Sequence, residues 1–106
     1  MRESMPRFVK AASLRQIKEH SGICVEIEGR DIALFRRGTE YFAIGNVCAH
    51  QHFSLLHTGH LDQLTVQCPM HGWVYDLRTG AAIEGSGRVP RYDVEIRGED
   101  LYIGME

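Results

Sequence analysis

Between Arg37 and Arg78 the chain has neither lysine nor arginine. A segment without cations cannot grip phosphate, or a nucleic-acid backbone, through guanidinium groups. Its only acids are Glu40, Asp62 and Asp76. Charge is uneven elsewhere: residues 1–37 hold eight Lys/Arg against five Asp/Glu, and the remainder holds four against nine. The net charge of −2 is too small to point to nucleic acid or to an anionic membrane. Long apolar runs are missing too, and none approaches the roughly 18 residues of a helical membrane span. The opening MRESMPRFVKAAS has no apolar core of the signal-peptide kind, so a cytoplasmic location is expected. Cysteine is scarce and odd in number, three in all. A secreted disulfide scaffold pairs its cysteines, so this count favours a reducing compartment.

Repeats, linkers and low-complexity stretches are also absent, and 106 residues fit one domain. Such a domain buries a modest core, to which a bound cofactor can add stability. Hydrophobic content of 43% and charged content of 25% are ordinary for a globular chain. EGRD at 28–31, RGTE at 37–40 and RGED at 97–100 each set glycine among polar residues, with strand-like sequence on both sides. The runs between turns are short and β-rich: 8–12, 23–27, 32–35, 41–44, 64–67, 73–75, 92–96 and 101–103. Short strands spaced by turns predict an all-β fold, an antiparallel sandwich or small barrel. The stretch SLRQIKEH at 13–20 opens on a serine suited to an N-cap and predicts a turn or two of helix.

On this reading two Cys/His pairs fall in loops. CAH covers 48–50, after the 41–44 strand, and CPMH covers 68–71, between the 64–67 and 73–75 strands. Two loops at one end of a β scaffold can clamp a ligand between them. Two thiolates and two imidazoles suit zinc or an iron–sulfur centre. Zinc fingers of the two-Cys, two-His kind usually place both cysteines first. Here each loop supplies one of each. A single residue between Cys48 and His50 is tight for two ligands on one ion, and comfortable if they bind different irons of a two-iron cluster.

These residues resemble the Rieske 2Fe-2S family, whose motif is C-x-H, fifteen to seventeen residues, then C-x-x-H. CPMHGWVYDLRTG, from Cys68 to Gly80, is similar to the family's C-P-x-H-G-x-x-[FY]-D-x-x-T-G, and GTEYFAIGNVCAH resembles the usual approach to the first loop. The resemblance extends over essentially the whole chain. It implies a Rieske-type β fold over 1–106, with a cluster-binding subdomain at about 46–80 set into a base β-domain. It also implies that Cys48 and Cys68 hold a buried inner iron and that His50 and His71 hold an exposed outer one. With two thiolates instead of four, the cluster is less negative and easier to reduce. That fits a span of about −150 to +300 mV, against about −400 mV for plant-type ferredoxins.

High-potential members carry an extra, disulfide-forming cysteine in each loop and a serine after the His-Gly. This chain has Phe53, Met70 and Trp73 at those positions. Fewer donors to sulfur predict the low end of the span, raised slightly by Tyr75. The solvent-facing nitrogens of the ligand histidines can couple electron uptake to protonation at high pH. His52 stands where the family commonly has glycine, which predicts a differently shaped first loop with His52 near the cluster. Cys24 is expected to be a buried strand residue, and His20, His57 and His60 solvated or capping residues. Gly59 reads as a turn residue. Trp73 has two readings, docking contact or core. Pro90 also has two, the loop that covers the cluster in this family or a plain turn.

Residues 72–106 contain no histidine, so the mononuclear iron site of a Rieske oxygenase is not expected here. Nor is the N-terminal span of a membrane-anchored bc-type subunit. The resemblance implies a soluble one-electron carrier that passes electrons from a flavin-dependent reductase to a terminal oxygenase. Two alternatives stand beside it. One is the small subunit of an NAD(P)H nitrite reductase, bound to a large catalytic chain. The other is a zinc-stabilised interaction module.

Overall fold

Ile32, Ala33, Leu34 and Phe35 form an unbroken apolar run, and all four are fully buried in the computed structural model, which describes residues 7–49, 53–70 and 72–105. They lie on β3 (Arg30–Arg37). This strand sits inside a four-stranded sheet ordered β2 (Ile23–Ile27), β3, β4 (Glu40–Gly45) and β9 (Arg91–Tyr92). Successive side chains on a strand point to opposite faces. Ile32 and Leu34 therefore enter one core, with Ala43, Leu101, Ile103 and Met105. Ala33 and Phe35 enter another, with Ile44, Leu56, Val66 and Tyr75. A strand covered on both faces has no polar side, which is why its sequence does not alternate.

The first core is closed by a three-stranded sheet, in the order β1 (Arg7–Ser13), β11 (Asp100–Met105), β10 (Val94–Arg97). β11 alternates as a half-buried strand should: Leu101, Ile103 and Met105 are buried, and the residues between them are not. The second core is closed by a third sheet of short strands in chain order: β5 (His60–Asp62), β6 (Thr65–Gln67), β7 (Val74–Asp76) and β8 (Ala82–Glu84). Among the described residues every strand pairing is antiparallel. The all-β, antiparallel expectation is met.

All three glycine turn signals are two-residue hairpin loops. Ile27 pairs with Arg30, Arg37 with Glu40, and Arg97 with Asp100. The first loop, Glu28–Gly29, has positive φ at both positions, the primed geometry whose twist matches paired strands. β5 and β8 lie where no strand is predicted. Three-residue strands with mostly exposed side chains carry too little apolar pattern to be read. β6 starts at Thr65 and β7 at Val74, which leaves Trp73 in the loop before it. The 13–20 stretch yields one 3₁₀ turn, Leu14–Gln16, in which the Gln16 side chain accepts the Ser13 N–H at 2.8 Å.

One expectation fails outright. Cys24 is on a strand, as predicted, but it is exposed, not buried. β2 is an edge strand, and Ile23, Val25 and Ile27 take its inner face, leaving Cys24 and Glu26 outward.

The first core gives a direct stability test. Ile103 is fully buried in the middle of β11. Ile103→Val should cost about 0.5–1.5 kcal/mol and Ile103→Ala about 2–5 kcal/mol, read as a lower denaturant midpoint with an unchanged slope.

Candidate metal centre

Three loops meet at the far end of the second core. The first leaves β4 at Asn46 and returns at Leu56. Within it Cys48 N–H donates to Phe53 O at 3.0 Å, and Leu56 N–H donates to Asn46 O at 3.1 Å. The second is the hairpin between β6 and β7. Cys68 N–H donates to Trp73 O at 2.7 Å and Gly72 N–H to Cys68 O at 3.0 Å. Gly72 takes φ +76, a left-handed conformation that costs glycine little. The third runs from Gly85 to Pro90. Its Gly85 lies against the Trp73 indole, so close that a Cβ there would overlap the ring. A Cβ on Gly87 would sit 3.7 Å from the Ala49 methyl. The third loop therefore touches both of the others, and at its end Pro90 O accepts the Gly45 N–H at 2.8 Å. Pro90 thus ends the third loop against Gly45 at the end of β4. Trp73 is half-buried under that loop.

Cys48 and Cys68 are each 1% exposed and belong to the same buried cluster, with Leu56, Val66, Tyr75, Leu77 and Val89. Neither forms a disulfide. Tyr75 sits beneath them. Its Oη accepts the Ala49 N–H at 3.2 Å and lies 3.3 Å from Cys48 Sγ. With the backbone N–H already on the oxygen, the phenol hydrogen is free to point at the sulfur. Burial, then the contact with Cys48, push the Tyr75 phenol well above its ordinary range. It stays a neutral O–H donor at any physiological pH.

Two buried thiols in one cluster, one of them against a hydroxyl donor, suit metal-bound thiolates. Bare thiolates in an apolar cluster would be costly, and iron cations with a phenol donor offset that cost. The donor set thus fits a 2Fe-2S cluster held on its inner side by sulfur. His50 and His71, expected as the outer ligands, lie outside the described residues, as does His52. Among the described residues no group of three or more His, Cys, Asp or Glu is placed to hold a metal ion. Cys24 stays off the site, and what burial it has, with the Asp31 carboxylate next, pushes its thiol upward and away from thiolate character.

The Rieske [2Fe-2S] domain model matches residues 7–93. This chain belongs to the Rieske [2Fe-2S] family. It is similar to the ferredoxin component of the naphthalene 1,2-dioxygenase system of Pseudomonas aeruginosa, 28% identical over 101 residues, covering 93% of this chain and 96% of that one. Among solved structures it resembles the ferredoxin of carbazole 1,9a-dioxygenase from Nocardioides aromaticivorans IC177, with a TM-score of 0.86, 28% identity, and coverage of 93% of this chain and 98% of that one. A protein proposed as the NADH-dependent nitrite reductase small subunit of Mycobacterium tuberculosis shares the fold, with a TM-score of 0.88 at 19% identity, covering 98% of each chain. Family membership carries the Rieske 2Fe-2S cofactor with it and sets aside the zinc alternative.

Around the site the Rieske chain exposes apolar side chains: Val47 at 37%, and Phe53 and Met70 at 45% each. Phe53 and Met70 stand where high-potential relatives are expected to carry their disulfide, so no disulfide ties these two loops. His57, expected to be solvated or capping, is half-buried, and its backbone N–H donates to Asn46 Oδ1 at 2.6 Å. His20 and His60 are exposed. Sequence reasoning missed Asn46 altogether, although it is fully buried. Its place next to Gly45 reads as a turn, and the only available signal was a polar residue two positions before Cys48.

Tyr75→Phe tests the donor. Reduction adds negative charge to the sulfurs, so an O–H donor favours the reduced state. A hydrogen bond of about 0.5–1.5 kcal/mol corresponds to roughly 20–65 mV for one electron, at 59 mV per tenfold. The variant should keep its cluster and show a potential lower by that amount in an EPR-monitored redox titration. An unchanged or higher potential would contradict the hydrogen bond as described.

Proposed function

We propose that this chain is a soluble one-electron carrier, and that Cys48 and Cys68 ligate the inner iron of its 2Fe-2S cluster while His50 and His71 ligate the outer one. The carrying observation is the pair of buried thiols, delivered by two separate loops into one apolar cluster, with the Tyr75 phenol against Cys48. When bound, the cluster supplies a site that accepts and gives up one electron. The chain's own residues do the rest. Tyr75 donates toward sulfur, the apolar wall of Leu56, Val66 and Leu77 excludes water, and the Gly85–Pro90 loop packs across the two ligand loops. We read residues 1–106 as one Rieske domain with a cluster-binding subdomain at about 46–80. Three of the four strands of the third sheet, β5 to β7, fall within that span and support the division, and β8 lies just past it.

The electron donor is a flavin-dependent reductase and the acceptor a terminal oxygenase. Support comes from the near end-to-end match with a dioxygenase ferredoxin component. The exposed Val47, Phe53 and Met70 suit a small, transient, largely apolar contact beside the cluster. No helix among the described residues is long and apolar enough to cross a membrane, and we place the carrier in the cytoplasm. The second reading, a small subunit of a nitrite reductase, draws on shared fold. Stable co-purification with a large catalytic chain would favour it, and a freely diffusing monomer favours the carrier.

The test is the cluster itself. The purified protein should contain two irons and two acid-labile sulfides per chain, with a reduced EPR signal of low average g. His71→Ala should abolish that signal. A normal cluster in the variant would sink the ligand assignment, and a colourless parent with one zinc would sink the carrier.

A further inference from the structure

Asn46 is the one fully buried polar residue among those described. Every polar atom it has is used. Its backbone N–H donates to Asp31 O at 2.9 Å, and its backbone O accepts the Leu56 N–H at 3.1 Å. Its Oδ1 accepts the His57 N–H at 2.6 Å. Its Nδ2 donates to Ser54 Oγ at 2.8 Å and lies 2.9 Å from His57 Nδ1. Ser54 Oγ in turn donates to Asp31 Oδ2 at 2.8 Å. One carboxamide thus binds both returning ends of the first loop and, through Ser54, the carboxylate at the start of β3. Within the ring so closed, Val47 bridges Ser54, and Cys48 follows directly.

We propose that Asn46 is a positioning residue for the cluster: a latch that holds the first ligand loop in its cluster-binding shape. The inference rests on the reading of Cys48 and His50 as ligands. A loop that must order itself around a cofactor loses conformational entropy on binding, and a loop closed beforehand loses less. The latch closes the loop at its base through Asp31, Ser54, Leu56 and His57. Its loss therefore acts on how well the loop retains the cluster, beyond any effect on the fold.

The direction of the hydrogen bonds supplies a specific test. In the native chain they run from Asn46 Nδ2 to Ser54 Oγ to Asp31 Oδ2. Asn46→Asp sets two carboxylates against the one Ser54 proton and breaks the relay. Asp31→Asn alone keeps it, because the carboxamide can turn its oxygen toward Ser54. The double variant Asn46→Asp/Asp31→Asn reverses it: the carboxamide at position 31 donates to Ser54, which donates to the carboxylate at position 46. The His57 N–H keeps its acceptor throughout.

The measurement is bleaching of the visible spectrum of the cluster-loaded protein by an iron chelator, well below the unfolding temperature. Asn46→Asp and Asn46→Ala should lose the cluster about tenfold faster than the parent, the lower end of the effect of removing residues that support metal ligands. Asp31→Asn should bleach near the parent rate, and the double variant should recover most of what Asn46→Asp loses. Ser54→Ala, a milder cut in the same relay, should bleach faster than the parent even if Asn46→Ala does not fold. Ile103→Val, in the other core, lowers fold stability and should leave the bleaching rate unchanged.

Parent-like bleaching in Asn46→Asp and Ser54→Ala would overturn the latch. So would a double variant as fast as Asn46→Asp, or a control that bleaches as fast as the latch variants. Failure of the ligand reading looks different: His50→Ala would keep its cluster whatever Asn46 does.

Discussion

A strand covered on both faces holds this molecule together. β3 sends Ile32 and Leu34 into one core and Ala33 and Phe35 into the other. β4 repeats the division, with Tyr41 and Ala43 toward the first core and Phe42 and Ile44 toward the second. The register between these two strands is therefore pinned from both sides, since a slip of one residue would exchange the cores. β4 runs straight into Asn46 and the first ligand loop. A loop anchored on the best-buried part of the fold has a fixed base, and the other two loops are built against it.

The loops meet without a disulfide among the described residues. Tyr75 rises from β7, beyond the second loop, and reaches the first through Cys48 and Ala49. Gly85 packs on Trp73 and Gly87 on Ala49, so the third loop bridges the first two. Asn46 closes the first loop on itself. Relatives of high potential are expected to add a disulfide between the loops, whereas here Phe53 and Met70 are turned to solvent. The same replacement removes a covalent tie and creates an apolar rim. The stretch from Gly38 to Leu77 carries no Lys or Arg, so that rim is framed without cations from either ligand loop.

Much of the molecule was legible before any coordinates. The glycine turns EGRD, RGTE and RGED each became a two-residue hairpin, because local backbone conformation is set by the residues in the turn. Each predicted run meets a strand, although 92–96 is divided between β9 in one sheet and β10 in another, because apolar composition marks burial and not the sheet a strand joins. The C-x-H and C-P-x-H spacing named the family, because a rigid cluster demands particular donors at particular separations. β5 and β8 escaped notice, as three residues with exposed side chains leave no periodic trace. Cys24 was misjudged because cysteine is usually buried, while an edge strand has one side that is not.

The sequence by itself determined the β-rich character, the hairpins and the Cys/His motif, all of which depend on residues close in sequence. Only the tertiary structure decided which core each face of β3 serves, that Tyr75 bridges to Cys48, and that Gly85 and Gly87 press the third loop onto the other two. It alone made Asn46 a buried hub for Asp31, Ser54 and His57. These contacts join residues distant in sequence, as Tyr75 and Cys48 are at 27 positions apart, and an asparagine beside a glycine carries no mark of burial. A hydrogen-bonding side chain reads as a turn residue until the fold shows what surrounds it.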